Sequence, residues 1–278
     1  MYKFGLRLSR TLIYLILILL AAICIIPIWI TIVNATRNNG EIMSGISLIP
    51  SKYLATNWNI VMNKGVNLAQ GYANSAIISF SVTFLSVYCS MLAAYAIEVY
   101  DFKIKKIVYA MVLVLVMIPG QVAAIGFVQY VNSLKLMNSY IPLIVPAIAA
   151  PGTVFFAKQY LESCVIHDLI HAARIDGAGE IGIFHKIMLP IATPGAFTMS
   201  IFAFVGSWNN LFLPYMILNE KSKFTIPILA KEFRGNPYRV EYGAVYLGVA
   251  VTILPVIVVY CFLSKFIVNG IAMGAVKE

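Results

Sequence analysis

Long runs of hydrophobic residues alternate with shorter polar intervals along this 278-residue chain. A helix of roughly 20 residues crosses the ~30 Å hydrocarbon layer of a bilayer, and six runs approach or exceed that length. Lipid offers the backbone no hydrogen-bond partners, so we expect each run to be helical. The pattern predicts an all-α integral membrane protein, a single domain over 1–278, with spans at about 11–33, 74–97, 107–130, 140–157, 194–217 and 244–267.

Two of these runs have features that bear on helix geometry. The fourth is short and contains Pro142, Pro146 and Pro151, which predict a bend because proline cannot donate to the helical ladder. The second carries small hydroxyl residues at helical spacing, a seam that permits close approach of a neighbouring helix. The residues of this seam are Ser79, Thr83, Ser86 and Ser90.

Composition excludes several classes of function. Hydrophobic residues make up 61% of the chain and charged residues 11%, which leaves no interval suited to a soluble catalytic domain. The formal net charge of +9 is concentrated between the runs, as is typical of membrane flanks, so we expect no nucleic-acid partner. The chain has no G-x-x-x-x-G-K-S/T motif for ATP phosphates.

The first run continues to Val33, too long for a secretory signal, and we expect it to be a retained span.

Basic residues near the ends of the runs predict the orientation in the membrane. Lys3, Arg7 and Arg10 precede the first run, and three lysines lie in the short second connection against one lysine in the third. Because cytoplasmic loops carry the excess of lysine and arginine, both termini are expected in the cytoplasm. The connections 34–73 and 218–243 then face outward. The second of these contains five basic residues, which runs against the charge rule for an outward-facing connection.

The centres of the runs contain no Asp, Glu, Lys or Arg. Ion-coupled transporters generally need such groups at mid-membrane, so a transporter built from this chain is expected to take its energy from a partner. A path lined with amides, hydroxyls and aromatic faces suits a neutral polyol such as a sugar. The candidates for such a path, which could equally bond across helices, are Gln121, Gln129, Trp208, Asn209 and Asn210.

A polar interval from Lys158 to Pro194 predicts two helices around a turn, a helix-turn-helix knob. Asp176-Gly177 breaks the periodicity, because glycine takes the left-handed conformation that ends helices. The apolar positions of the first helix are Leu161, Val165, Leu169, Ala172 and Ala173. The second helix is expected to stop at its prolines and to have one apolar face formed by Ile181, Phe184, Ile187 and Met188. The simplest alternative is an amphipathic loop that lies on the membrane.

One motif within this interval suggests enzyme chemistry. His167 and His171 stand four residues apart, as in the H-E-x-x-H motif of intramembrane zinc proteases. Asp168 is one methylene shorter than the Glu of that motif, His185 is the only other histidine, and no run carries an acidic third ligand. We therefore expect no metal site, and an intramembrane zinc protease is the alternative from the enzyme class.

Three stretches resemble one family of membrane proteins. HAARIDGAGEIGIFHKIMLPIATP, residues 171–194, resembles the EAA loop of binding-protein-dependent ABC importer permeases, E-A-A-x-x-D-G-A followed by I-x-L-P-x-x-x-P. Residues 202–210 resemble the F-x-F-x-x-x-W-N segment of carbohydrate-uptake permeases, and 266–277 resemble the tail of the second permease subunit of maltose-type transporters. Two positions depart from the pattern: His171 replaces the Glu of the motif, and Ile166 replaces a proline that often precedes it.

The resemblance implies a permease subunit, not itself an enzyme, that forms half of the translocation path for a sugar, expected to be an oligosaccharide. It implies a cytoplasmic coupling (EAA) loop at 158–193, between spans 4 and 5, that docks on a separate ATPase subunit. ATP and Mg are expected in that subunit, and this chain is expected to bind no cofactor. The residues implied in ATPase coupling are His171, Ala172, Ala173, Asp176, Gly177, Ala178, Phe184 and Pro190.

The same resemblance implies a set of partners and a location. The partners are a second homologous permease, two ATPase subunits, an extracellular or periplasmic sugar-binding protein, and the lipid of a bacterial cell membrane. Two alternatives remain outside this picture. The chain could be a permease for another neutral or polar solute, or a scaffold without transport, whose deletion would leave solute uptake intact.

Overall fold

The computed structural model describes residues 2–63, 65, 67–234 and 240–275, with side chains over 10–63, 65, 67–234 and 240–262. The described residues form helices joined by turns and loops, with no strand among them. Two 3₁₀ turns, Val145–Ala149 and Lys221–Lys223, and one π-turn, Phe184–Met188, lie between helices. In chain order the helices are α1 (Tyr2–Ala35), α2 (Asn39–Met43), α3 (Leu54–Asn63), α4 (Leu68–Val99), α5 (Lys105–Met117), α6 (Gly120–Ser133), α7 (Ile141–Ile144), α8 (Pro151–Cys164), α9 (His167–Ile175), α10 (Glu180–Ile183), α11 (Leu189–Trp208), α12 (Phe212–Ile217), α13 (Ile226–Glu232) and α14 (Tyr242–Ala275).

Five helical segments among the described residues are long and apolar enough to cross a membrane. The helices α5 and α6 pass the same test together but meet at an angle of 97°. The all-α membrane protein predicted from the sequence is confirmed, and six spans result if the bent pair counts as one. The five segments are Arg10–Ala35, Leu68–Val99, Ile141–Cys164, Glu180–Trp208 and Tyr242–Phe262.

The predicted third span, 107–130, is not one continuous helix. The helix α5 ends at Met117 and α6 begins at Gly120, with Ile118 and Pro119 between them. Ile118 has an extended backbone, with φ −76° and ψ 120°, because the ring of a following proline disfavours the helical region. The break lies inside an unbroken apolar run, so hydropathy alone does not reveal it.

The fourth span is longer than predicted and the fifth is interrupted. The fourth continues to Cys164, and its prolines are accommodated by a 3₁₀ turn and by a non-helical residue, Ala150. In the fifth, α11 ends at Trp208 and α12 is a separate helix. The side-chain oxygen of Asn210 accepts a hydrogen bond from the Leu213 amide at 3.4 Å, which gives the chain a local alternative to continuing the helix.

Pro190 and Pro194, the predicted stops of the second knob helix, lie inside a continuous helical segment instead. The helix α10, the π-turn and α11 follow one another without a break as far as Trp208. The π-turn, in which the Leu189 amide donates to the Phe184 carbonyl, widens the backbone just before the first proline. Membrane helices tolerate proline where such local adjustments satisfy the freed backbone groups.

Contacts between Cα atoms group the chain into two compact units. In the first unit, the buried Asn57 side chain donates to the carbonyls of Ala35 and Arg37 at 2.8 and 2.9 Å, which ties α3 to the end of α1. The connection 34–73 is therefore a packed element with its own short helices. The single permease domain over 1–278 stays a prediction. The two units are residues 1–67 with 229–254, and residues 68–228 with 255–278.

In the second unit, α4 packs against α8 and α11. The small-residue seam of α4 faces this contact: Ser79, Ser86 and Ser90 are each at most 3% exposed. The hydroxyls of Ser86 and Thr153 lie 3.0 Å apart, which joins α4 to α8. The prediction that the seam packs against a neighbouring helix is confirmed.

Gly195 of α11 lies directly against the Tyr160 ring of α8. A Cβ at this position would lie 2.5 Å from the ring of Tyr160, so Gly195→Ala is expected to destabilise the fold by about 1–3 kcal/mol through overpacking. Thermal unfolding of the detergent-solubilised protein measures this effect. Gly206 is on the same helix with open space around its Cβ position, so Gly206→Ala is the control and is expected to unfold as the wild type does. Equal unfolding temperatures for the two variants would contradict this packing.

Candidate functional site

The candidate site is the helical hairpin of residues 167–183, α9 and α10 with the turn between them, which we call the knob. The first knob helix begins at His167, not at Leu161 as periodicity suggests. Leu161 belongs to α8, which ends at Cys164, and Ile166 before α9 has an extended backbone. The knob is thus a distinct hairpin between the fourth and fifth spans.

The turn of the knob has the hydrogen bonds of a Schellman motif. The Ala178 amide donates to the Ala173 carbonyl at 2.9 Å, and the Gly177 amide donates to the Arg174 carbonyl at 3.1 Å. Gly177 has φ +79°, the left-handed conformation that glycine adopts without steric penalty. The prediction that Gly177 ends the first knob helix is confirmed.

A polar clamp closes the knob and ties it to α4. Arg174 Nε of α9 donates to Glu180 Oε1 of α10 at 2.7 Å, and the Tyr95 hydroxyl of α4 donates to Glu180 Oε2 at 3.1 Å. The guanidinium also lies 5.6 Å from the centroid of the Tyr100 ring. The hydrogen bond to Glu180 raises the pKa of Arg174 above its usual value. Sequence reasoning missed this clamp; the signal present was a pair of opposite charges on either side of the predicted turn.

Beneath the clamp, apolar side chains of the knob join the core of the second unit. Ile170 and Ile183 are at most 1% exposed, and Phe184 just after the knob is 2% exposed. The Phe184 ring lies 5.5 Å from the Tyr95 ring, centroid to centroid. The same core includes residues from α4, α8 and α11, so the knob is fixed to three long helices.

The buried face differs from the predicted one. Ile170 rather than Leu169 is buried on α9, and Ile183 rather than Ile181 is buried on α10. Leu169 and Ala172, both predicted on the apolar face of the first helix, are exposed. The prediction is right in part: Leu161, Ala173, Phe184 and Met188 are buried as predicted. Leu169 and Ala172 are not, because two residues separate α8 from α9 and the faces of the two helices are therefore out of phase.

The knob and the residue before it also carry exposed isoleucine and leucine side chains, which we call the apolar rim. Ile175 is 86% exposed at the tip of the knob. Exposed patches of this kind mark interaction surfaces more often than isolated apolar residues do. The members of the apolar rim are Ile166, Leu169, Ile175 and Ile181.

The eight predicted coupling residues fall into two groups. Ala173 and Phe184 are buried and belong to the core that anchors the knob. The other six lie exposed on the knob or beside it: His171, Ala172, Asp176, Gly177, Ala178 and Pro190.

Removing the charge of Glu180 tests the clamp. Glu180→Gln is expected to lower stability by about 1 kcal/mol, because an amide replaces the carboxylate that accepts from Arg174 and Tyr95. Thermal unfolding measures the change. The matched control is Glu162→Gln, which removes an exposed i,i+4 partner of Lys158 and is expected to change stability by no more than a few tenths of a kcal/mol. A clamp variant that unfolds like this control would refute the structural role of Glu180.

The predicted path residues do not converge on one site. A cavity of about 250 Å³ lies among α4, α6, α7, α11 and α12, and of the five candidates only Asn210 lines it, together with Ser207. Trp208 is 4% exposed and stacks on Phe204 with centroids 5.5 Å apart, so it is a packing residue. Gln121, Gln129 and Asn209 are exposed and do not line this cavity.

The histidines of the knob do not assemble with a third ligand in the described part of the chain. His167 and His171 are exposed on α9. His185 is occupied elsewhere, with Nε2 at 3.0 Å from the Tyr88 hydroxyl and Nδ1 at 2.8 Å from the Ile181 carbonyl oxygen. Over the described residues, no group of three His, Cys, Asp or Glu side chains is placed to hold a metal ion.

Comparison with known proteins agrees with this architecture. Residues 86–272 match the family described as binding-protein-dependent transport system inner membrane component. The arabinooligosaccharides transport system permease protein AraQ of Halalkalibacterium halodurans is 34% identical, with 93% of each chain covered. AraQ of Bacillus subtilis is 31% identical, covering 98% of this chain and 96% of that protein.

One solved structure has the same fold. It is that of a bacterial ABC transporter involved in the import of the acidic polysaccharide alginate, with a TM-score of 0.78, 17% identity, and 94% of this chain and 97% of that chain covered. The match extends over nearly all helices described above. Permease subunits of this kind are not enzymes, and the zinc-protease alternative finds no support. The chain belongs to the family of binding-protein-dependent transport system inner membrane components, the membrane-embedded permeases of ABC importers.

Proposed function

We propose that this chain forms half of the translocation path for an oligosaccharide, driven by ATP hydrolysis in separate ATPase subunits. The observation that carries the substrate class is similarity to two permeases named for arabinooligosaccharide transport over more than nine-tenths of the chain. Another neutral or polar solute is the alternative within transport.

The chemistry of the spans supports an uncharged substrate. The cavity lined by Asn210 and Ser207 is otherwise lined by apolar residues and glycine, with no charged side chain among its lining residues. An amide and a hydroxyl donate to and accept from sugar hydroxyls, while a charged solute would need a compensating charge in this low-dielectric region. Asn210 is the path residue that we retain from the sequence.

The knob is the proposed coupling element, and the whole segment 158–193 is the coupling loop. Its apolar rim would seat in a groove of an ATPase subunit, with Gly177 and Ala178 allowing close approach at the turn. Motion of the groove on ATP binding would then reach α4, α8 and α11 through the buried core beneath the knob. Asp176, exposed beside Gly177, would accept a hydrogen bond from the ATPase.

Orientation and assembly follow from the same proposal. The knob and both termini lie in the cytoplasm, and the connections 34–73 and 218–243 face outward to receive a sugar-binding protein. A second homologous permease completes the path, and two ATPase subunits hold ATP and Mg. The setting is a bacterial cell membrane.

Co-purification in mild detergent with uptake assays tests this proposal. We expect a P-loop ATPase and a second permease to be recovered with the tagged chain, and deletion of the chain to abolish uptake of labelled arabinooligosaccharides in cells. If deletion leaves the uptake of every tested solute intact, the chain is a scaffold. If the tagged chain recovers the ATPase, and its deletion abolishes uptake of another solute but not of arabinooligosaccharides, only the substrate class is overturned.

A further inference from the structure

A short loop after the first span exposes a concentrated set of large apolar side chains. Met43, Ile46, Leu48 and Ile49 are between 55% and 83% exposed, and we call residues 43–49 the apolar loop. No charged residue lies between Glu41 and Lys52. Soluble loops rarely expose four such side chains within seven residues, so we expect a partner to contact this surface.

The apolar loop is continuous with the surface of α1. The indole Nε1 of Trp29, near the end of α1, donates to the Leu48 carbonyl at 2.9 Å. Trp29 is 43% exposed, and the apolar residues preceding it on α1 are exposed along the length of the span. Tryptophan is enriched where membrane helices cross the boundary between lipid and water. The loop therefore begins at the level where the lipid-facing surface of α1 ends.

Polar contacts within the protein hold the loop in a fixed shape. Arg37 is 7% exposed, and its guanidinium donates to the Gly45 carbonyl at 2.9 Å and to the Glu41 carbonyl. The Ser47 hydroxyl accepts from the Ile49 amide at 3.1 Å. Because these backbone groups already have partners within the protein, moving the apolar side chains out of water leaves fewer unsatisfied polar groups in lipid.

The two charged side chains that precede the apolar loop have polar partners within the protein. The Glu41 carboxylate accepts from the Ser51 hydroxyl at 3.0 Å, and Arg37 is buried at the base. Lys52, just beyond the apolar loop, is exposed, and its Nζ lies 5.8 Å from the centroid of the Tyr53 ring. An exposed lysine beside an inserted loop can reach lipid phosphates.

We propose that the apolar loop inserts Met43, Ile46, Leu48 and Ile49 into the interfacial layer of the bilayer beside α1. The partner is the lipid itself, and the loop anchors this end of the first span at a set depth. The proposal needs only that α1 spans the membrane, and it does not depend on which solute is carried.

Depth-dependent quenching in the assembled transporter tests this. Ile46→Cys, in a background with the four native cysteines replaced by alanine, is labelled with an environment-sensitive nitrobenzoxadiazole dye in vesicles of phosphatidylcholine and phosphatidylglycerol. We expect a blue-shifted emission, several-fold stronger quenching by doxyl-labelled lipid than by aqueous iodide, and the reverse for Asn59→Cys, an exposed position on α3. Quenching of the Ile46 label by iodide alone, or protection from both quenchers by a protein partner, would overturn the proposal.

A second measurement needs no label and keeps the native cysteines. Ile46→Asp is expected to lower the thermal unfolding temperature of the transporter in lipid vesicles more than Asn59→Asp does, because only the first places a carboxylate in lipid. Equal shifts for the two variants would also overturn the proposal.

Discussion

Replacing Ile175 with aspartate is expected to abolish stable association of the ATPase subunits with the permease. Ile175 is 86% exposed, and if the apolar rim seats in an ATPase groove, the variant buries a carboxylate without a partner. A cost of about 3 kcal/mol corresponds to an affinity about 100-fold lower. Co-purification of the ATPase with the tagged permease measures the effect, and uptake is expected to fall with it.

The control for this prediction separates docking from folding. Ile175→Leu keeps the apolar surface and is expected to retain the ATPase. Because the side chain touches little of its own chain, Ile175→Asp is expected to unfold at the wild-type temperature in detergent. Full recovery of the ATPase with Ile175→Asp would exclude the rim as the docking surface.

The features that sequence reasoning predicted well are those set by local chemistry. The apolar runs located the spans because a bilayer imposes the same length on each helix. Gly177 was predictable as a helix end because a residue in the left-handed conformation is a property of the turn itself. The break at Ile118-Pro119 was not predicted, although the restriction on a residue before proline is local and could have been recognised in the sequence.

The features that escaped prediction depend on tertiary contacts. Whether Leu169 or Ile170 faces the core depends on where α9 begins, and this is decided by packing on α4 and α8. The Arg174–Glu180 clamp needs Tyr95 from an element 85 residues away from Glu180. For the same reason, the polar residues of the spans could not be sorted into path and packing: Asn210 lines a cavity while Trp208, two residues earlier, is buried against Phe204.

The turn of the knob gives the second large effect: Gly177→Val is expected to abolish uptake while ATP hydrolysis continues. Gly177 has φ +79°, and a left-handed conformation costs other residues about 1–2 kcal/mol, with β-branched side chains the least tolerant. Relief of this strain would open the hydrogen bond from Ala178 to Ala173 and change the angle between α9 and α10. The knob would still reach the ATPase through its apolar rim, but motion of the ATPase would no longer pass to α4 and α11.

Two controls make this uncoupling specific. Gly177→Asn is expected to retain most uptake, because asparagine tolerates the left-handed region, and Gly179→Ala is expected to be nearly neutral because Gly179 has φ −71°. Uptake and ATP hydrolysis are measured on the same reconstituted transporter, so that the ratio of the two reports coupling directly. Since the knob is joined to three long helices through one buried core, a rigid turn is the condition for transmitting movement. Normal uptake with Gly177→Val would mean that force reaches the spans by another route.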